Sequence, residues 1–340
     1  MKAVRFDGDG VVEVIEKAIP KIREDEILVK VAYCGLCGSE RGAVRNGIGV
    51  VPGHESSGTV EKCGSRVKPF PRGCPVLIYL SDYCGECEAC LEGETNRCVH
   101  RRGLIGWHFD GGYEEYVAVP GRMVFPIDGF PLDLGVLALD TIGTAFHGLR
   151  QAEPICHDGA LVIGCGPIGL GCVSILKNHY GVGEIFAADI SQEHRQMAEM
   201  LGATAIAVDP ADTAGSIERV LQGRRIGLVM EVCGGEATTA AAVKFVRAGG
   251  KVLYIGEPVS ALHIRRESEW ILKDFSFMNS WYFPTKEIPD NLRFIQENEE
   301  EVRRIITDVV SMEEMAEAYV RFFSGKTGKV LVRIGDAAAE

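Results

Sequence analysis

GALVIGCGPIGLGCVSILKNHY, residues 159–180, reads as a buried strand, a glycine turn and a helix. The turn is Gly164-x-Gly166-x-x-Gly169. Such a pattern is weak alone, but here an apolar strand precedes it and a helix follows it. Gly164 allows the tight turn, Gly166 lets backbone approach a pyrophosphate, and Gly169 lets strand and helix pack closely. Pro167 and Ile168 open the helix, whose start offers free N–H groups and a positive dipole end to phosphates. Asp189 stands twenty residues beyond Gly169, at the end of EIFAAD. A carboxylate there accepts hydrogen bonds from ribose hydroxyls and repels a 2′-phosphate, which predicts NAD over NADP. The positive charge of Arg195 works slightly against that preference.

Outward from this unit, strands and helices alternate. EIFAADI (184–190) is a strand, and SQEHRQMAEMLGA is a helix with Ser191 as N-cap and Gly202 as its stop. AIAVD, GLVMEVCG, the helix TTAAAVKFVRAG and the strand GKVLYIGEP continue the alternation. This predicts an α/β domain with a doubly wound parallel sheet over residues 151–285. Before it, residues 1–150 are β-rich. ILVKVAYCG (27–35), GTVEKCG (58–64), CPVLIYL (74–80) and GYEEYVAVP (112–120) are short strands between Gly and Pro signals. LGVLALDTIGTAFHGLRQ (134–151) reads as a bridging helix, with Pro154 beyond it. After residue 285 come amphipathic helices, NLRFIQENEEEV and SMEEMAEAYVRFF. The strand GKVLVRI (328–334) then returns residues 286–340 to the first domain, and the tail GDAAAE is expected to fray.

Cys84, Cys87, Cys90 and Cys98 lie in CGECEACLEGETNRC. That spacing can point four thiolates at one centre, a closed structural zinc site with no position for substrate. A disulfide-rich loop is the alternative. The opening MKAVRFDGDGVVEVIEK has no apolar core, so no signal peptide is expected. The chain has 340 residues and 12 cysteines, and its size and thiols suit a reducing cytosol and two domains. With 36 Lys and Arg against 48 Asp and Glu, the net charge of −12 argues against a nucleic-acid partner. No apolar run is long enough to span a membrane.

A second metal candidate is dispersed. Cys37 opens C-G-S-E after a strand, and His54 and Glu55 lie in P-G-H-E before another. Taken alone, Cys37 reads as a buried thiol and His54 as a loop histidine. Together, a thiolate, an imidazole and carboxylates from different loops can make an open zinc site.

The order C-G-S-E, G-H-E, four-cysteine lobe, G-C-G-P-I-G-L and Asp189 resembles the zinc-dependent medium-chain dehydrogenases, across essentially the whole chain. These include alcohol, polyol, glucose and threonine dehydrogenases. The resemblance implies a GroES-like β-rich catalytic domain joined to a Rossmann domain. It implies two zinc ions per chain and a catalytic zinc on Cys37, His54 and Asp140, with Glu55 coordinating or lying close. It also places the Ile255-Gly256 turn near the nicotinamide. Ser39 would take the alcohol proton.

Two departures stand out. Glu40 replaces the family's usual aspartate, and Gly42 stands where many relatives carry a proton-relay histidine. Proton exit must then run through water, Glu55 or another group. A carboxylate ligand is typical of the branches acting on polyols, sugars, cyclitols and hydroxy-amino acids. A simple alcohol or aldehyde dehydrogenase and a non-enzymatic binding protein are the alternatives. Arg41 and Arg45 are candidates to pair with an anionic substrate or are solvated charges, and Trp107 and His108 are packing or loop residues otherwise. The resemblance implies a cytoplasmic homodimer or homotetramer. KVLYIGEP and the segment around Ser280–Phe283 are candidate pairing edges.

Overall fold

In the strand Glu26–Gly35, buried positions run almost unbroken, because the strand is covered on both sides. It is the spine of a seven-stranded sheet. One edge pairs antiparallel with Ser56–Cys63, and the other pairs first with Tyr116–Pro120 and then with Lys329–Arg333. Pro75–Ile78 and Val124–Pro126 extend one side, and Ile306–Ser311 extends the other. Returning strand 329–333 thus completes the first sheet, as the sequence predicts. The computed structural model describes residues 1–155, 158–224, 226–257 and 268–335. Of the tail, residues 336–340 lie outside them.

The second sheet is parallel throughout. Its order is Thr204–Ala207, Ile185–Asp189, Ala160–Ile163, Ile226–Glu231, Val246–Tyr254, Ser276–Asn279. In chain order this is 3-2-1-4-5-6, the Rossmann arrangement, with its crevice where the order reverses. Ala160–Ile163 is buried at every position, as a central parallel strand requires. The helix Pro167–Asn178 follows, with Gly166 as N-cap and proline in its first turn.

Four local readings change. The hairpin Lys2–Gly8/Val11–Glu16 has no counterpart in the sequence reading. Its turn is Gly8-Asp9-Gly10, all three at positive φ, which glycines make cheap. The expected helix over 134–151 is three pieces: Leu132–Leu137, a π-helical turn Asp140–Thr144, and Ala145–Gln151. π turns concentrate at functional sites, and this one carries Asp140. The helix expected to reach Gly249 stops at Phe245, and Val246 is already strand. Finally, the strand 246–254 is internal, and Ser276–Asn279 is the sheet's edge. No helix among the described residues is long and apolar enough to cross a membrane.

Candidate active site

Three separate segments converge at one cluster. Cys37 caps the short turn Gly38–Glu40 that follows the spine strand. His54 and Glu55 precede the strand Ser56–Cys63, and Asp140 comes from the π turn. One donor atom from each of Cys37, His54, Glu55 and Asp140 lies within 4.8 Å of the others. Asp140 Oδ2 is 3.7 Å from Cys37 Sγ and 3.5 Å from His54 Nε2. Ser39 Oγ donates to Cys37 Sγ at 3.2 Å.

The cluster demands positive charge. His54, Glu55 and Asp140 are buried, and Glu55 Oε2 and Asp140 Oδ1 have no hydrogen-bond partner. Buried carboxylate oxygens without partners are costly. Burial pulls His54 down, but Cys37 and Asp140 outweigh it and raise the imidazole well above its usual range. Burial pushes Glu55 up to about 7, although Lys329 pulls the other way. For Asp140 burial acts upward, yet His54, Lys329 and Cys37 hold it below the usual value. A thiol, an imidazole and two carboxylates with unfilled oxygens suit a divalent borderline-soft cation such as zinc.

Residues around the cluster fix its geometry. Glu40 Oε1 lies 3.4 Å from His54 Nδ1. Its Oε2 accepts from the Cys37 N–H (3.1 Å), the Tyr113 hydroxyl (3.0 Å) and the Tyr319 hydroxyl (2.5 Å). The extra methylene of glutamate is thus absorbed, and both tyrosines pin it. Lys329 is buried, pairs with Glu55 and donates to the Leu36 carbonyl at 2.9 Å. Trp107 lies against His54, ring centroids 5.8 Å apart.

The second cluster is of a different kind. Cys84, Cys87, Cys90 and Cys98 also converge within 4.8 Å. The pairs Cys84–Cys90 and Cys87–Cys98 are each 3.9 Å apart. That is far beyond a disulfide bond of about 2.05 Å. It matches the edge of a sulfur tetrahedron around zinc, about 3.8 Å for 2.3 Å zinc–sulfur bonds. Backbone N–H groups of Glu86 and Cys87 point at Cys84 Sγ, at 3.4 and 3.3 Å. Hydrogen bonds drop Cys87 to about 6, whereas burial raises Cys90 to about 12. The lobe docks on the segment that leaves the Rossmann sheet. Asn96 donates to the Trp281 carbonyl at 3.1 Å and lies 3.2 Å from His147, and Thr95 receives the Thr285 N–H at 2.9 Å.

At the glycine turn, Gly164 has φ +99°, and a side chain at Gly169 would collide with the Gly164 carbonyl at 1.9 Å. A Cβ at Gly166 would meet open space, which leaves a path for a pyrophosphate. Asp189 Oδ2 accepts the Cys165 N–H and Oδ1 the Ser191 N–H, both at 2.7 Å. Arg195 is tied to the carbonyls of Asp189 and Ile190, each at 2.9 Å. Ile255 and Gly256 both bond the Glu231 carbonyl, and a Cβ at Gly256 would strike Gly234 N at 2.2 Å. The next residue, Glu257, feels the metal cluster: burial raises it, His54 lowers it and Asp140 raises it. The π turn that carries Asp140 also packs on the helix after the glycine turn, where a Cβ at Gly171 would meet the Thr141 carbonyl at 2.2 Å.

Several site residues escape the sequence reading: Lys329, Tyr113, Tyr319 and Glu257. None carries a local signal: Lys329 opens the strand Lys329–Arg333, where a lysine is unremarkable. Conversely, Arg41 stacks on Phe323 at 4.3 Å and bonds its carbonyl, and His108 Nδ1 accepts the Leu104 N–H, so neither enters the cluster. Arg45 is exposed.

The comparisons agree with this geometry. The chain matches the alcohol dehydrogenase GroES-like domain over residues 23–129 and the zinc-binding dehydrogenase family over residues 167–297. It is 32% identical over 279 residues to the medium chain reductase/dehydrogenase ucsI of Acremonium sp, covering 77% of this chain and 95% of that protein. It is 27% identical over 350 residues to the sorbitol dehydrogenase of Bacillus subtilis (strain 168), covering 98% and 97%. The solved alcohol dehydrogenase of Thermus sp. ATN1 superposes with a TM-score of 0.89 at 27% identity, covering 98% of this chain and 100% of that one. The chain belongs to the zinc-dependent medium-chain dehydrogenases, nicotinamide-dependent oxidoreductases that act on CH–OH groups.

Proposed function

We propose that this protein is an NAD-dependent, two-zinc dehydrogenase that oxidises a secondary hydroxyl on a polar substrate: a polyol, sugar, cyclitol or hydroxy-amino acid. The observation that carries this reading is Asp140, set 3.7 Å from Cys37 and 3.5 Å from His54. A carboxylate in place of a second thiolate gives a harder, more hydrophilic site. The likeness to a sorbitol dehydrogenase supports the same class.

Cys37, His54 and Asp140 would hold the catalytic metal with Glu55 alongside, and Cys84, Cys87, Cys90 and Cys98 the structural one. Bound there, zinc supplies the Lewis acidity that lowers a substrate hydroxyl's pKa, and the nicotinamide supplies the redox chemistry. Glu40 holds the imidazole of His54 in place, as an outer carboxylate does for a ligand histidine. Ser39 Oγ receives the hydroxyl proton at the cluster's edge. Glu55 Oε1 is engaged by Lys329, which leaves only Oε2 open as an acceptor. A side chain at Gly42 would meet open space, and the proton leaves to water there. Gly164, Gly166, Pro167, Ile168 and Gly169 cradle the pyrophosphate, Asp189 takes the adenosine ribose with Arg195 beside it, and Ile255-Gly256 backs the nicotinamide.

The chain divides into a catalytic domain, residues 1–150 with 286–340, and a nucleotide domain, residues 151–285. It works as a homodimer or homotetramer in the cytoplasm. The described cysteines, all unpaired thiols, suit that compartment. The test is a screen of NAD reduction over polyols, cyclitols, sugar acids, hydroxy-amino acids and simple alcohols, with metal-replete protein. Turnover on a polar class is expected. Activity confined to simple alcohols, or none at all, overturns the reading.

A further inference from the structure

Asp189 is more heavily engaged than a ribose-binding carboxylate needs to be. Besides the two backbone N–H groups, its Oδ2 lies 3.2 Å from His194 Nδ1. The other ring nitrogen, Nε2, lies 3.0 Å from the Thr327 carbonyl oxygen. Neither partner can donate: one is an ionised carboxylate and the other a backbone carbonyl. Both ring nitrogens must therefore donate, and an imidazole that donates twice is an imidazolium. The pair is well shielded, with side chains 12% and 10% exposed. Burial works against the charge on His194, but Asp189 and the Thr327 carbonyl outweigh it and lift the group above its usual value.

Among the surroundings, only Glu193 adds a further, smaller upward pull on His194. On the same helix, Arg195 is tied to backbone carbonyls. From the facing loop come Lys326, which acts on Glu193, and the Thr327 carbonyl. Ser191 Oγ bonds the Gly325 carbonyl at 2.5 Å, so the loop is fixed against the helix start. The carboxylate expected to repel a 2′-phosphate thus carries a cation bonded directly to it, with Arg195 close by.

We infer that His194, held as an imidazolium between Asp189 and the Thr327 carbonyl, sets how strongly the adenosine-ribose pocket rejects a 2′-phosphate. While it is charged, the pocket is near neutral and tolerates NADP. Once it loses its proton, the bare carboxylate enforces NAD. His194 is thereby a specificity-setting residue acting through Asp189. This rests on the reading that Asp189 receives the adenosine ribose.

The test measures dissociation constants of NADH and NADPH by fluorescence titration, using the full-length, zinc-replete enzyme, from about pH 6 to 9. Wild type, His194→Gln, His194→Arg and Asp189→Asn are compared. The 2′-phosphate itself titrates near pH 6, equally for every protein, so the differences between proteins report the histidine. In wild type the ratio of NADPH to NADH dissociation constants should rise about tenfold with pH, the scale of one unit charge a few ångströms away in a partly screened site. In His194→Gln the ratio should already be high at low pH, and in His194→Arg it should stay low throughout. If wild type, His194→Gln and His194→Arg give one ratio at every pH, the inference falls. The Arg variant keeps the test open if the Gln variant folds poorly. If Asp189→Asn shifts the ratio and the His194 variants do not, this inference alone fails. If Asp189→Asn changes neither affinity, the ribose reading fails with it.

Discussion

The two cysteine-containing clusters differ in almost every physical respect. The lobe of Cys84, Cys87, Cys90 and Cys98 is made of one ligand type from one short stretch, with backbone N–H groups turned toward its sulfurs. The cluster of Cys37, His54, Glu55 and Asp140 mixes thiol, imidazole and carboxylate from three segments, and leaves carboxylate oxygens unfilled. The first is closed and built to be stable. The second keeps unspent acceptors and buried charge, which cost stability and are retained where chemistry is done. One tethers a loop to the Trp281–Lys286 segment through Asn96, Thr95 and Glu94, and the other takes Asp140 from a π turn packed on the helix after the glycine turn.

Breaking the lobe should cost the most stability. Structural zinc contributes on the order of 10 kcal/mol in isolated zinc-finger peptides, so Cys98→Ser should remove one zinc equivalent and lower the melting temperature by roughly 10 °C. Metal analysis and calorimetry check this. If the protein melts unchanged with one zinc missing, the lobe is not structural. Next, Lys329→Met strands a buried Glu55 and should destabilise by about 3–5 kcal/mol. Lys286→Met breaks the exposed pair that ties Glu94 at the lobe, and should cost under about 1 kcal/mol. Equal costs in denaturant titrations would erase the contrast between buried and surface ion pairs.

The smallest effect is in pH. In chelator-treated protein Cys87 sits at about 6, below its ordinary thiol value of 9.0. A depressed value means the folded state favours the thiolate. That stabilisation is full above the unfolded value and is lost as pH falls through about 6. The melting temperature should drift down by a few degrees over that window, and Cys87→Ser should flatten the drift. An identical drift in the variant would assign it to another group.

How much of this was legible depends on how the information is spread along the chain. The lobe and the glycine turn are contiguous, so spacing alone describes them. The Rossmann strands announce themselves because central parallel strands are apolar throughout, as in Ala160–Ile163. The catalytic cluster is dispersed: Cys37, His54 and Asp140 are brought together by sheet pairing and a π turn, and became visible only through family likeness. The π turn itself has no local signal, since LGVLALDTIGTAFHGLRQ carries a helical pattern end to end. Tyr113, Tyr319 and Glu257 look like ordinary residues, because what makes them matter is a partner far along the chain. The bond between Tyr319 and Glu40, 279 residues apart, is one case. The N-terminal hairpin does carry a local signal, Asp-Gly pairs between alternating apolar residues, that the sequence reading passed over.

The division of labour between the clusters is the central claim, and Cys37→Ser tests it most directly. Zinc content, melting temperature and turnover are measured on the same preparation. The account predicts zinc falling from two to about one per chain, turnover lost by about a thousandfold or more, and a melting temperature little changed. Full activity with unchanged zinc would contradict it.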